Sequence, residues 1–272
     1  SKIPMLISID VEGGSVVRFR WNPWPSSAQT LGTRDDPDAA YRQFQTIGKK
    51  LLETGINLNL APVLDVAPDP DDTFLDTRII SSDAVVTSDI GAAIIAGLHD
   101  AGCLSAAKHF PGHGGTSADS HATTPVVDKS ADELFEYDLV PFAAAVEAGV
   151  DVVLVAHIRY PALDAENIAS LSPAIIGGLL REELGFDGIV MSDDFRMGGL
   201  TSQCPAGEAA VRFLLAGGDL ILCGPRHDLQ REIMDALRAA ADDGTLSEAR
   251  IDESVLRIVQ KKMQVTGWSP LE

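Results

Sequence analysis

Lys108-His109-Phe110-Pro111-Gly112-His113-Gly114-Gly115-Thr116-Ser117-Ala118-Asp119-Ser120-His121 gathers half of the chain's six histidines, a lysine and an aspartate within one short stretch. Its Gly and Pro residues make it an irregular loop rather than a helix. Loops carried on a rigid scaffold are where catalytic groups tend to sit. Two chemistries fit this one. In the first, Asp119 accepts the ring N–H of His121, fixes its tautomer and stabilises its charged form for acid/base work. In the second, His109, His113, Asp119 and His121 hold a metal ion, although no helical H-E-x-x-H spacing accompanies them. The plain structural alternative is a polar loop whose groups satisfy one another.

Two further segments carry carboxylates at the ends of apolar runs. Gly188-Ile189-Val190-Met191-Ser192 ends in Asp193-Asp194. Strand alternation sends those two side chains in opposite directions, so one of them faces the mouth of the fold. A carboxylate at a strand tip suits nucleophilic attack on an acetal. Asp193 is the candidate, with Asp194 capping the segment after Phe195. Ile9-Asp10-Val11-Glu12-Gly13-Gly14, followed by Arg18, places Asp10 where it can accept bonds from sugar hydroxyls. Its paired glycines permit close approach of backbone or ligand.

The elements that must position these groups alternate. Compact apolar runs predict strands over 5–9, 57–64, 103–107, 152–156, 188–192 and 219–223, each buried on both faces of a parallel sheet. Helical spacing predicts helices over 37–54, 83–101, 131–148 and 173–184, each stopped by a following glycine. Further helices are expected over 206–216, 228–241 and 247–263. Strand and helix in turn imply an α/β fold. Asp10, Asp65, Lys108-His109, His157 and Asp193-Asp194 all follow the C-terminal ends of strands. That distribution favours a TIM-like (β/α) barrel, which collects its chemistry around one mouth. An open doubly wound sheet would concentrate ligands at one switch point, and no G-x-G-x-x-G follows the first strand. One catalytic domain over 1–272 is expected.

Composition narrows the partners. The 272 residues carry 40 Asp and Glu against 21 Lys and Arg, a net charge of −19. Such a surface repels phosphate backbones and anionic lipid heads, so neither nucleic acid nor membrane is an expected partner. There is no run of about 20 apolar residues. Cys103, Cys204 and Cys223 show no C-x-x-C pairing and predict no disulfide framework. The opening on a strand without an initiator Met leads to the expectation that residues precede it in the full protein. A cytoplasmic location is expected, with an extracellular or lipoprotein form as the alternative, and the oligomeric state stays open.

Together these segments resemble bacterial β-N-acetylglucosaminidases of glycoside hydrolase family 3. Asp10 to Gly14 with Arg18 is similar to that family's D-x-E-G-G…R segment. Ala61-Pro62-Val63-Leu64-Asp65 is similar to its A-P-V-x-D strand. Lys108 to His121 resembles its K-H-F-P-G-H-G-x-T-x-x-D-S-H loop throughout, and the D-S-H ending marks the N-acetylglucosaminidase branch. Val155 to Asp164, Leu171-Ser172-Pro173, and Leu179 to Gly188 running into Ser192-Asp193-Asp194-Phe195-Arg196-Met197 also match. Ser15 and Val11 stand where the family often has Arg and Gln. The match begins without the strand and helix that usually precede Ile7 in the family, so a barrel lacking or not showing its first β/α unit is the expectation. The resemblance does not extend to the family's extra C-terminal domain, which is not expected here.

The resemblance implies a retaining exo-β-N-acetylglucosaminidase acting on cell-wall muropeptides or chitooligosaccharides, with a small carbohydrate as its partner and no cofactor or metal. Asp193 would form a covalent glycosyl-aspartate, and His121, oriented by Asp119, would be the acid/base. Asp10, Arg18, Arg78, Lys108 and His109 would hold the sugar. A histidine acid must reach the scissile oxygen, so loop 110–121 is expected to move without ligand. The alternatives are a phosphorylase with the same intermediate, a metal-dependent hydrolase, and a non-catalytic carbohydrate-binding relative.

Overall fold

The structure is a computed structural model describing residues 3–19, 21–68, 75–116, 118, 120 and 123–269. Its parallel sheet has the strand order β1 (Ser8–Ile9), β4 (Leu58–Asn59), β5 (Leu104–Phe110), β6 (Val152–Val155) and β7 (Ile189–Ser192). A bridge from Met191 to Leu220 adds the segment expected over 219–223. Between β1 and β4 lies a small antiparallel hairpin, β2 (Val11–Gly13) and β3 (Val16–Val17). Gly13 turns this hairpin at φ 97°, and a Cβ there would meet the Ser26 carbonyl oxygen at 2.0 Å, so glycine is required.

Side-chain alternation sorts the sheet's two faces. Leu58, Leu60, Leu104, Ala106, Val152, Leu154, Ile189 and Met191 form one buried cluster. They are alternate residues on four adjoining segments, so they share one face. The residues between them, among them Ala107, Val153, Val155 and Val190, pack into the main core on the other face. Helices supply much of the rest of that core: α2 (Pro37–Glu53), α3 (Ala84–Ala101), α5 (Val140–Glu147) and α7 (Ala206–Leu215). A sheet covered by helices outside and filled by its own side chains inside is a section of a curled barrel. This is the TIM-like (β/α) arrangement expected from the sequence, present as an open half-barrel.

The helices form where expected, for local reasons. Asp36 caps α2 by accepting from the Ala39 N–H at 2.9 Å, and Pro37 occupies the first turn, where no N–H is needed. Helix α3 ends on Gly102, left-handed at φ 85°. By length and composition α3 is apolar enough to cross a membrane, but Ile90, Ile94, Ile95 and Leu98 lie in the core. The segment expected as a helix over 131–148 is interrupted by a π-turn over Leu134–Asp138, and 174–183 is π-helical. The expected strand 57–64 is shorter than predicted: the regular ladder stops at Asn59, the Ala61 and Pro62 carbonyls accept the Ala106 and Lys108 N–H groups out of that register, and a bridge returns at Val63. Strand 5–9 shortens to β1, while the Asn57 side chain binds the Ile7 N–H and the Met5 carbonyl in place of ladder bonds.

The N-terminal ends of the strands are closed by α9 (Glu248–Thr266). It adds Ile258 and Val265 to the inner cluster. Two buried carboxylates fasten it. Asp219 meets Arg257 at 3.1 Å, Arg250 at 3.7 Å and the Ser254 hydroxyl at 2.6 Å, and it also meets Arg181. Asp151 takes Lys261 at 2.7 Å and His99 at 2.8 Å. Removing one side of a buried ion cluster strands the other side, at a cost of about 3–5 kcal/mol. Asp219→Ala is therefore expected to lower unfolding free energy by about that amount in urea titrations. A loss under about 1 kcal/mol would show that Asp219 does not fasten the helix.

Candidate functional site

At the opposite end, the strand C-termini surround a cavity of about 310 Å³. That lies at the small end of the range for ligand pockets. Asp10, Glu12, Arg18, Arg78, Lys108, His109, His113, Ser120, Asp193, Asp194 and Arg196 border it, with Val16, Leu60, Leu154 and Leu222 as its apolar wall. The structure thus brings together six predicted residues, Asp10, Arg18, Arg78, Lys108, His109 and Asp193. Asp119 and His121 lie outside the described residues.

Strand β5 delivers two consecutive side chains. Its pairing with β6 shifts register between Lys108 and Phe110. Such a bulge turns an extra residue to the same side, so Lys108 and His109 both reach the cavity. Lys108 is buried between Asp10 at 2.7 Å and Glu12 at 2.6 Å. Burial disfavours its charge, yet Glu12 and Asp10 hold it above the usual lysine range.

Glu12 is the residue that sequence reasoning left without a role. Only 4% exposed, it receives Arg78 in a two-point bond, Nε at 2.8 Å and Nη2 at 3.0 Å. Arg78 comes from a 3₁₀ turn over Asp76–Arg78. Burial alone would raise the Glu12 carboxyl, but Lys108 and Arg78 pull it down to about 2. The missed signal was its spacing. Asp10 and Glu12 are two apart, so an extended backbone turns both to one face.

Asp65 is a second such residue. Fully buried, it accepts the His109 Nδ1 at 2.7 Å, the His109 N–H at 3.2 Å and the His113 N–H at 2.6 Å. These contacts hold its carboxyl below the usual range against burial. Tyr160 donates its hydroxyl to the Gly112 carbonyl at 2.7 Å. The loop root, 109–113, is thus bound to the barrel. His113 lies near Ser120, its Nε2 3.0 Å from the hydroxyl, and the Ser120 carbonyl accepts the Gly199 N–H at 2.9 Å. Burial pushes the His113 imidazole down to about 4, so it is neutral at neutral pH. His157, fully buried with Nδ1 2.7 Å from the Ser170 hydroxyl, is also lowered by burial, with Asp193 opposing.

Both Asp193 and Asp194 border the cavity, contrary to the expectation that alternation separates them. The strand ends at Ser192, and alternation ends with it. Their duties do differ. Asp194 accepts the Arg196 N–H at 3.0 Å, the Gly224 N–H at 3.3 Å and the Arg196 guanidinium, which hold its carboxyl low against burial. Asp193 is held through its backbone, its N–H on the Val155 carbonyl at 3.0 Å, and one carboxylate oxygen accepts the Asp194 N–H at 2.8 Å. Of the four residues in the metal reading, His109 gives Nδ1 to Asp65 and His113 turns Nε2 to Ser120, while Asp119 and His121 are not described.

Comparison with known proteins gives a consistent result. The profile of the glycosyl hydrolase family 3 N terminal domain matches residues 1–261. Beta-hexosaminidase A of Pseudoalteromonas piscicida is 32% identical over 288 residues, covering 97% of this chain and 48% of that protein. Beta-hexosaminidase LpqI of Mycobacterium tuberculosis is 36% identical over 275 residues, covering 96% and 68%. Among solved structures, a glycoside hydrolase family 3 beta-N-acetylglucosaminidase from Paenibacillus sp. str. FPU-7 superposes with TM-score 0.93 at 39% identity, covering 98% of this chain and 52% of that one. The chain spans about half the length of the first and third of these relatives.

The Glu12 cluster predicts a pH signature. Its folded pKa, about 2, lies below its unfolded value of 4.5. Its contribution is therefore fully present above 4.5 and is lost as pH falls through about 2. Glu12→Gln is expected to be about 2–4 kcal/mol less stable than the parent at neutral pH. In urea unfolding at a series of pH values, that gap should close between pH 4.5 and 2. A gap constant across pH would refute the ionic origin.

Proposed function

The chain belongs to the glycosyl hydrolase family 3 N-terminal domain family, and from that premise we propose that it removes terminal β-linked N-acetylglucosamine with retention of configuration. Cell-wall muropeptides and chitooligosaccharides are the substrates this reading favours. One observation carries it above the others. The Asp193 carboxylate borders the same cavity as a cluster of buried Glu12 and Lys108 with half-buried Asp10 and Arg78, with His109 beside it. That cluster offers fixed donors and acceptors for sugar hydroxyls and an N-acetyl group, while Asp193 keeps an oxygen for the anomeric carbon.

In the proposed reaction, Asp193 attacks that carbon as the glycosidic oxygen departs. The oxygen takes its proton from His121, whose cation Asp119 stabilises. The product of this step is a glycosyl-aspartate. Water then attacks the same carbon, His121 takes a proton from it, and Asp193 leaves as the carboxylate. Two features support assigning the proton to His121. His113 is neutral and His157 is buried, so neither is a suitable donor. Ser120, the chain neighbour of both Asp119 and His121, borders the cavity. A His acid carries no negative charge to repel an anionic acceptor, so the same intermediate could pass to phosphate, and product analysis must include it.

Asp193→Ala is expected to lower kcat on 4-nitrophenyl N-acetyl-β-glucosaminide by at least about 10³-fold, as removal of a nucleophile does. Azide, entering from the vacated side, should restore turnover and give the α-glycosyl azide. Parent-like turnover in the variant sinks the assignment. A sugar 1-phosphate formed only in the presence of phosphate turns it toward a phosphorylase.

A further inference from the structure

Asp65 stands outside the groups that border the cavity, yet the chemistry of its three bonds decides what His109 can do there. An ionised carboxylate only accepts hydrogen bonds. The 2.7 Å contact from Asp65 Oδ2 to His109 Nδ1 therefore places a hydrogen on Nδ1. On the far side of the ring, Nε2 lies 3.5 Å from Nη2 of Arg78. A guanidinium only donates, so a hydrogen on Nε2 would face another hydrogen. Both neighbours select the same tautomer, with hydrogen on Nδ1 and a lone pair on Nε2.

We infer that Asp65 is a positioning residue that fixes His109 with its Nε2 lone pair turned to the cavity, making it an acceptor for one sugar hydroxyl. This rests on the function proposed above. Arg18, Arg78 and Lys108 can only donate. The carboxylates beside them hold Lys108 and Arg78 closely, Asp10 at 2.7 Å and Glu12 at 2.6 and 2.8 Å, whereas Arg78 stands 3.5 Å from His109 Nε2 and leaves it the more open acceptor. A hydroxyl both donates and accepts, so it can receive a bond from a cation and give its own hydrogen to His109. A substrate lacking that hydroxyl leaves a buried acceptor unmet, which is how such sites discriminate.

Asp65→Asn separates positioning from scaffolding. The amide oxygen can stay at Oδ1, where the His109 and His113 N–H groups bind. The amide nitrogen then faces His109 Nδ1 and donates to it. That moves the ring hydrogen to Nε2, against Arg78, while the loop root keeps its backbone bonds.

Long-range proton–nitrogen-15 NMR of the parent protein should show His109 with hydrogen on Nδ1, and of Asp65→Asn with hydrogen on Nε2. The variant should bind N-acetylglucosamine more weakly and lose about 10- to 100-fold in kcat/KM on the chromogenic glucosaminide. In a His109→Ala background, Asp65→Asn should cost nothing further. A parent spectrum with hydrogen on Nε2 overturns the inference without needing any variant. So does an equal loss in the His109→Ala background, which a purely structural role would produce. A parent protein inactive on the chromogen counts against the proposed function instead, and the spectrum still reads the tautomer.

Discussion

Lys108 and His109 are neighbours in the chain, and a regular strand must send neighbours to opposite faces. The site depends on breaking that rule once. Up to Ala107, β5 alternates in the ordinary way, with Ala106 inside and Ala107 in the outer core. The register shift after Lys108 then turns His109 toward the cavity. A strand in regular register would have buried His109 among the outer apolar residues or lost Lys108 from the mouth. The neighbouring segment makes the irregularity tolerable. The Leu64 N–H bonds the Lys108 carbonyl at 2.7 Å, and Asp65, one residue on, accepts the His109 N–H at 3.2 Å. The extra residue's backbone is thus paired, by a side chain instead of a strand.

Two fully ionised cations inside a cavity need compensation before any substrate arrives. Glu12 supplies it for both Arg78 and Lys108, and Asp10 completes the pair for Lys108. The cluster has two carboxylates and two cations, so it sums to neutrality. The −19 of the whole chain therefore resides elsewhere. This is why net charge bore only on the expected partners and said nothing about the site. A neutral cluster of fixed dipoles suits a neutral polyhydroxylated ligand, whose own hydroxyls can replace water bond for bond.

Much of this was legible in the sequence, and the limits have physical reasons. Apolar runs marked the strands because a sheet covered on both sides admits few polar residues, and the C-terminal placement of Asp10, Lys108, His109 and Asp193 pointed to one mouth. Glu12 was in view but unassigned, since its partner Arg78 is 66 residues away and arrives on a 3₁₀ turn that no periodicity announces. Asp65 was visible as a strand-end carboxylate, but its duty belongs to a histidine 44 residues further on. Pairings at that separation are set by the fold and not by local pattern. Strand alternation misjudged Asp193 and Asp194 because the rule was applied past the last paired residue.

Buried carboxylates occur at both ends of the barrel, and the contrast between them separates stability from chemistry. Asp219 and Asp151 lie ahead of the strands, fully buried, bound to side chains of α9 and distant in sequence from the loop segments. The partners of Asp219 include three arginines carried on helices, so its carboxylate is satisfied within the fold. Glu12 and Asp65 are equally buried, but each holds a side chain whose other end borders the cavity. Burial of charge is costly at either end. At the α9 end that cost is offset by fastening a helix. At the mouth it is offset only partly by packing, and the remainder is an arrangement of donors and acceptors that water alone would not require.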